Sequence, residues 1–319
     1  MAGEVLAVRI DEAAMVVHGL TPKGERRIEL HPSGRRDQYL REVREFLAGF
    51  ASGSPGGYPV HLRRWTRMGQ AREEGMERLL LFGEPEAVVS VACSIGLTDE
   101  LARRVWWIMP DAENARRMLE RACVAEGNMG RILVDYLVEF LPFESSPAVI
   151  METVKLVLKS GLANMETKRR LWKMGARQNA YIVPFLTIQP DDLPEKAESP
   201  GCLDIPGNLG RVFSGSGQTF LRAACGVLDR VSDRDVAIAA LDAVSAYFSS
   251  IEGIDSPHAG FEREFEAIVS LSAMDSRIIH PILARTTATG TLLRTKLDPV
   301  VSEVLEKIGI LMVRGSRPR

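Results

Sequence analysis

The chain has 319 residues, 45% of them hydrophobic and 26% charged, the balance of a folded protein rather than a disordered one. Its 40 Lys and Arg against 42 Asp and Glu leave a net charge of −2, which argues against a uniformly basic nucleic-acid surface and leaves room for a local basic patch. Aromatic residues at 6% argue against a binder built on many base-stacking rings.

The first 31 residues differ from the rest. Val5-Leu6-Ala7-Val8-Arg9-Ile10 and Met15-Val16-Val17-His18 are short β-prone runs, Thr21-Pro22-Lys23-Gly24 has turn chemistry, and Arg27-Ile28-Glu29-Leu30-His31 alternates. Together they predict a small antiparallel β-element. A helix follows over Asp37–Gly49, with Tyr39, Leu40, Val43, Phe46 and Leu47 as its apolar stripe. The Gly- and Pro-rich run from Ala51 to Pro59 reads as a linker.

From Glu84 to Leu193 helix follows helix. Thr98 and Asp111 stand where N-caps belong, Pro110 and Pro142 stop helices, and Ser146-Pro147 has the cap-then-Pro order of a helix start. Predicted helices cover 86–95, 98–109, 111–122, 129–141 and 148–158. The run Pro190–Gly210 is rich in Pro, Gly and Asp and predicts a boundary. Beyond it, helices are expected over 218–230, 233–250, 260–273, 276–288 and 299–312, before a basic tail. The predicted domains are therefore 1–59 (β-element, helix and linker), 60–193 (helical region) and 194–319 (C-terminal helices).

Within the helical region a stretch recurs at an offset of 65 residues. Gly96-Leu97, Arg104, Trp107, Met109 and Asn114-Ala115 meet Gly161-Leu162, Arg169, Trp172, Met174 and Asn179-Ala180. Such a unit spans about two helical hairpins of ~33–47 residues each. The expected fold is mainly α, a HEAT-like α-solenoid array of helical repeats with a small N-terminal β-element. The alternative is an irregular helical bundle with a coincidental match, since Trp106 faces Leu171 and Pro110 faces Gly175.

Chemistry-bearing motifs are sparse. Cys93, Cys123, Cys202 and Cys225 show no C-x-x-C spacing, which argues against a zinc site and a disulfide framework. Cys93 and Cys225 sit in apolar runs and are expected to be buried thiols. The five histidines are dispersed. The glycine run Gly210–Gly217 lacks the Lys of a phosphate loop. No signal peptide is apparent, and no apolar run approaches the ~20 residues of a membrane span. These features predict a cytoplasmic protein without a cofactor, and assign no catalytic, cofactor-binding or metal-ligating residues.

Two groups of Arg and Trp suggest partner binding, because both residue types are enriched at interface hot spots. One is Arg63, Arg64, Trp65 and Arg67; the other is Arg103 and Arg104 with Trp107, and their matches Arg169 and Trp172. The competing account is a Trp in the core with cations along its edge.

The strings Ser54-Pro55-Gly56-Gly57-Tyr58-Pro59-Val60, Arg64-Trp65-Thr66-Arg67-Met68-Gly69-Gln70, Gly96-Leu97-Thr98-Asp99-Glu100-Leu101-Ala102-Arg103-Arg104 and Glu139-Phe140-Leu141-Pro142-Phe143-Glu144 resemble the DsrS proteins, encoded with the dissimilatory sulfite reductase genes of sulfur-oxidising bacteria. The resemblance covers residues 37–193, and none of the strings is a catalytic motif. It implies a cytoplasmic protein tied to sulfur oxidation and brings no active-site residues with it. The leading expectation is a non-enzymatic protein that binds a protein partner. An RNA-binding regulator acting through Arg63–Arg67, and an enzyme with a site between the central and C-terminal helices, are the alternatives.

Overall fold

In a computed structural model of the chain, the described residues are 5–52, 75–195, 209–251 and 260–312. They are mainly helical, with one small sheet, and fall into two compact units, Met1–Phe140 and Leu141–Arg319. The division lies inside the stretch expected to form one helical region.

In the first unit, β1 (Ala7–Asp11), β2 (Val16–Thr21) and β3 (Gly24–Glu29) form an antiparallel sheet in chain order. The β2–β3 turn is held by Thr21, whose hydroxyl donates to the Gly24 carbonyl at 2.8 Å, and needs Gly24 at φ +114°. Ala7, Val8, Val16 and Leu20 are buried, whereas β3 is exposed throughout.

Helix α1 (Arg36–Ser52) follows, then α2 (Met76–Leu79), α3 (Pro85–Ala92), α4 (Asp99–Ile108), α5 (Ala112–Leu119), α6 (Ala122–Ala125) and α7 (Asn128–Phe140). The caps read from the sequence act as such: Thr98 Oγ1 accepts from Leu101 N at 3.2 Å and Asp111 Oδ1 from Asn114 N at 2.8 Å. The expected helix over 111–122 instead breaks after Leu119, and a separate turn of helix starts at Ala122. Asp99 then accepts from the Asn128 and Met129 amides, both at 3.0 Å, so the α4 N-terminus also supports that of α7.

The second unit is all helical among its described residues: α8 (Pro147–Lys159), α9 (Met165–Met174), α10 (Val183–Ile188), α11 (Gly210–Phe213), α12 (Gly215–Asp229), α13 (Arg234–Ser249), α14 (Glu262–Ala273), α15 (His280–Leu283) and α16 (Gly290–Leu311), with short 3₁₀ turns at 141–143, 179–181 and 276–278. Its core holds Phe185, Phe220, Phe248, Ile150 and Leu171, all fully buried. Phe220 stacks on Tyr247 with ring centroids 3.9 Å apart.

Four local expectations need correction. Pro147 opens α8, but the Ser146 side chain makes no capping bond; Glu144 Oε1 accepts from the Ser145 and Ser146 amides instead, at 2.9 and 3.0 Å. The segment 276–288 breaks into a 3₁₀ turn and the four-residue α15, with Pro281 in its first turn. Pro299 does not start the last helix but lies inside the 22-residue α16. Pro299 and Thr295, whose carbonyl loses its donor, both face solvent, where water supplies one, and Leu293, Leu297, Val301, Val304 and Ile308 keep one continuous buried stripe. Cys93, expected to be buried, is exposed at the C-cap of α3. Cys225 is partly buried, and burial pushes its thiol up to about 11.

Candidate functional site

Helix α9 is fixed at both ends by local chemistry. Gly161, at φ +70°, ends the chain's run out of α8, and Asn164 Oδ1 caps α9 by accepting from Thr167 N at 2.8 Å. At its far end the amides of Gly175, Ala176 and Arg177 bond back to Trp172, Lys173 and Met174 at 3.0, 3.2 and 3.0 Å, a 3₁₀-type tightening of the last turn. A side chain at Gly175 would run into Ile182, so any larger residue there must displace the Ile182 side chain.

One face of α9 is buried. Leu171 is 0% exposed, and Trp172, at 8%, meets Phe185 edge-on at 5.4 Å with the rings at 90°. The opposite face carries Arg169, Arg170 and Lys173, with Arg177 on the terminal turn; all four are exposed. Two anchors fix that turn: Asn179 Nδ2 donates to the Val227 and Arg230 carbonyls at 3.1 and 3.2 Å, and Tyr181 donates its hydroxyl to the Leu141 carbonyl at 2.9 Å. Burial raises the Tyr181 hydroxyl above its ordinary range.

The four cations line a cavity of about 960 Å³ together with Met174, Pro142 and Tyr181. Among the described residues, none of the four side chains has a hydrogen-bond or ion-pair partner. Arg103, Arg104, Arg116, Arg117, Arg131 and Arg211 pair with carboxylates; what distinguishes the four is that they lie together on one wall. The two carboxylates on the rim are Glu144, engaged by backbone amides, and Glu166. Lys173 also borders a second cavity of about 630 Å³, beside Arg222 and Arg230. Among the described residues, the lining of the larger cavity includes no Cys, His, Ser or Thr. Its four cations supply charge and hydrogen-bond donors suited to anion recognition.

Of the residues singled out from the sequence, Arg63, Arg64, Trp65 and Arg67 lie outside the described residues. Arg103 and Arg104 do not lie along Trp107. Both pair with Glu100, at 2.7 and 3.0 Å, and Arg104 is 9% exposed. The bond from Arg103, with that from Arg104, holds the Glu100 carboxyl down to about 2 against the burial that raises it. Trp107 is half-buried on the sheet: Nε1 donates to Glu25 Oε2 at 3.2 Å, and Arg9 stacks over its ring at 5.0 Å. Glu25 also meets His18 Nδ1 at 2.5 Å; burial raises its carboxyl, but the bonds from His18 and Trp107 with the Arg9 charge bring it below the ordinary value.

The matched pair Trp107 and Trp172 therefore sit in different surroundings, one on a sheet and one in a helical core. Of the candidates among the described residues, only Arg169 reaches the cationic cavity; Lys168, beside it, pairs with Asp192 at 3.8 Å. Arg170, Lys173 and Arg177 were not singled out. The signal for Lys173 and Arg177 is the i, i+4, i+8 row of cations at 169, 173 and 177; Arg170 lies outside that row, one turn after Glu166.

Among the described residues there is no group of three His, Cys, Asp or Glu side chains that could hold a metal ion, and no helix long and apolar enough to cross a membrane. The chain matches no family model, no curated protein and no solved structure.

Proposed function

We propose that this is a non-enzymatic helical protein that binds a protein partner through the cationic face of α9. The observation that carries this reading is the set Arg169, Arg170, Lys173 and Arg177, exposed and without partners among the described residues on the wall of one cavity. The capped helix fixes where these cations start, and the planar Arg guanidinium matches a carboxylate with two parallel donors, which offsets part of the cost of ordering an exposed side chain. An RNA-binding role is less well supported, since Tyr181, the aromatic residue of the lining, is buried with its hydroxyl committed to Leu141.

The strings that resemble the DsrS proteins supply a setting, cytoplasmic sulfur oxidation or its regulation, in which the partner would be found. The helical-repeat reading belongs with it. It is supported by two ten-residue helices, α4 and α9, each opened by a side-chain cap. Ala115 and Ala180, matched at the 65-residue offset, are each 0% exposed.

The experiment is cross-linked capture from cells grown on reduced sulfur, with the unaltered chain and with Arg169→Glu/Lys173→Glu as baits. A partner recovered by the first and lost by the second supports the reading. Equal recovery by both baits, or no specific partner, refutes it.

A further inference from the structure

Three features of the cavity narrow the chemistry of the occupant. First, its charges are mixed. Glu144 and Glu166 stand on the same rim as the four cations. A polyphosphate chain, uniformly negative, is repelled at both; a polypeptide answers them with its own Lys or Arg. Second, the lining is not charged throughout: Met174 and Pro142 share it with the charged groups. An occupant covering them needs an apolar side chain flanked by acids.

Third, the described residues of this unit contain no strand. An extended peptide laid on α9 would find no sheet edge to pair with its backbone amides and carbonyls, whereas a helical segment arrives with its backbone bonds already made. Spacing agrees. Arg169 and Lys173 are one turn apart, about 6 Å along the axis, and the 3₁₀-type turn sets Arg177 on the same wall. Carboxylates recurring every fourth residue on a partner helix share that repeat.

We infer that the occupant of the α9 face is an acidic amphipathic helix from another protein, with Asp or Glu recurring at i, i+4 and i+8, an apolar residue between them to seat on Met174 and Pro142, and a basic residue opposite Glu144 or Glu166. This rests on the partner-binding reading above and adds to it the chemistry and conformation of the partner.

The test is fluorescence anisotropy of the full-length protein with a labelled synthetic helix of about four turns carrying that pattern. A peptide of the same composition with the acids shuffled, and single-stranded oligouridine, serve as competitors. The expected result is that the patterned helix binds at least about tenfold more tightly than either competitor and weakens as salt rises. Affinity falls by about tenfold or more in Arg169→Glu/Lys173→Glu and also in the milder Arg169→Gln/Lys173→Gln. It stays unchanged in Lys155→Glu, an exposed charge on α8 outside the cavity.

Equal binding of the shuffled peptide overturns the helical pattern while leaving an acidic partner standing. Oligouridine that competes as well as the patterned helix overturns a protein occupant. Self-association that Arg169→Glu/Lys173→Glu dissolves, seen by sedimentation, overturns it in favour of a second copy of this chain. No binding of either acidic peptide, with partner capture unaffected by the charge reversal, removes both this inference and the reading beneath it.

Discussion

Replacing Gln218 by Met tests how the second unit is held together. Gln218 is 0% exposed on α12, and its amide donates to two backbone carbonyls, Val212 O at 3.0 Å and Leu311 O at 3.1 Å. Val212 lies in α11 and Leu311 is the last residue of α16, so both carbonyls belong to helix C-terminal turns that lack intrahelical donors. One buried amide thus closes the ends of two helices. Met keeps the length and removes both donors. Leaving each carbonyl unmet costs about 1–3 kcal/mol, and placing a thioether where an amide was buried offsets about 1–2 kcal/mol. The net loss is about 2–3 kcal/mol. For a unit of this size that lowers the melting temperature by roughly 5–10 °C. Urea titration followed by far-UV circular dichroism reads the loss as a lower midpoint at unchanged slope. A Gln218→Met protein within about 0.5 kcal/mol of the original refutes the reasoning, because the two carbonyls must then find other donors.

Four further outcomes follow from the packing. Gly130→Ala destabilises the first unit by about 1–3 kcal/mol, since a methyl there meets the backbone carbonyl of Ala125, which cannot swing away; thermal melts in which Gly130→Ala unfolds at the original temperature would contradict this. Glu100→Gln removes the partner of the buried Arg104, and because Glu100 is half exposed the loss is held to about 1 kcal/mol by solvent screening. The Glu100 carboxyl is lowered from 4.5 to about 2 on folding, so its contribution is present above about 4.5 and fades as pH falls toward about 2; acid titration of Glu100→Gln should lack that part of the pH dependence, and identical acid curves would count against the pairing. Asp233→Ala, which loses the cap accepted from Asp235 N and Val236 N at 2.9 and 3.1 Å, costs about 1 kcal/mol in chemical denaturation. Arg211→Lys forfeits the bidentate pair with Asp191, 2.8 Å at each oxygen, and the stack over Tyr247 at 4.2 Å; a loss of about 1 kcal/mol is expected, and full retention of stability would show that a point charge suffices.

Much of the candidate site was present in the sequence as residues and absent as an arrangement. Arg169 and Trp172 were singled out, but as one Arg–Trp unit. In the folded chain they part: Trp172 turns into the core against Phe185, and Arg169 joins Arg170, Lys173 and Arg177 on the opposite face. A helix places residues three apart on one face only approximately, and which face is buried depends on what packs there. The Arg103–Trp107 pairing dissolved for a related reason: Glu100, one turn back on the same helix, is a better partner for both guanidinium groups than an indole ring.

By itself the sequence determined what is settled within four or five residues. The caps at Thr98, Asp111 and Asp233, the Thr21–Gly24 turn and the Pro-opened start of α8 are local bonds between near neighbours. The tertiary structure alone decided which copies of a residue type are buried or paired. Arg104 is buried and Arg103 exposed, Trp107 lies on the sheet and Trp172 in the core, Cys93 is exposed, and Pro299 is tolerated in mid-helix. Those outcomes depend on segments far away in the chain, such as Glu25 for Trp107, 82 residues away. That the α9 cations have no partner among the described residues is of the same kind: whether a charge is paired depends on where carboxylates distant in the chain come to rest.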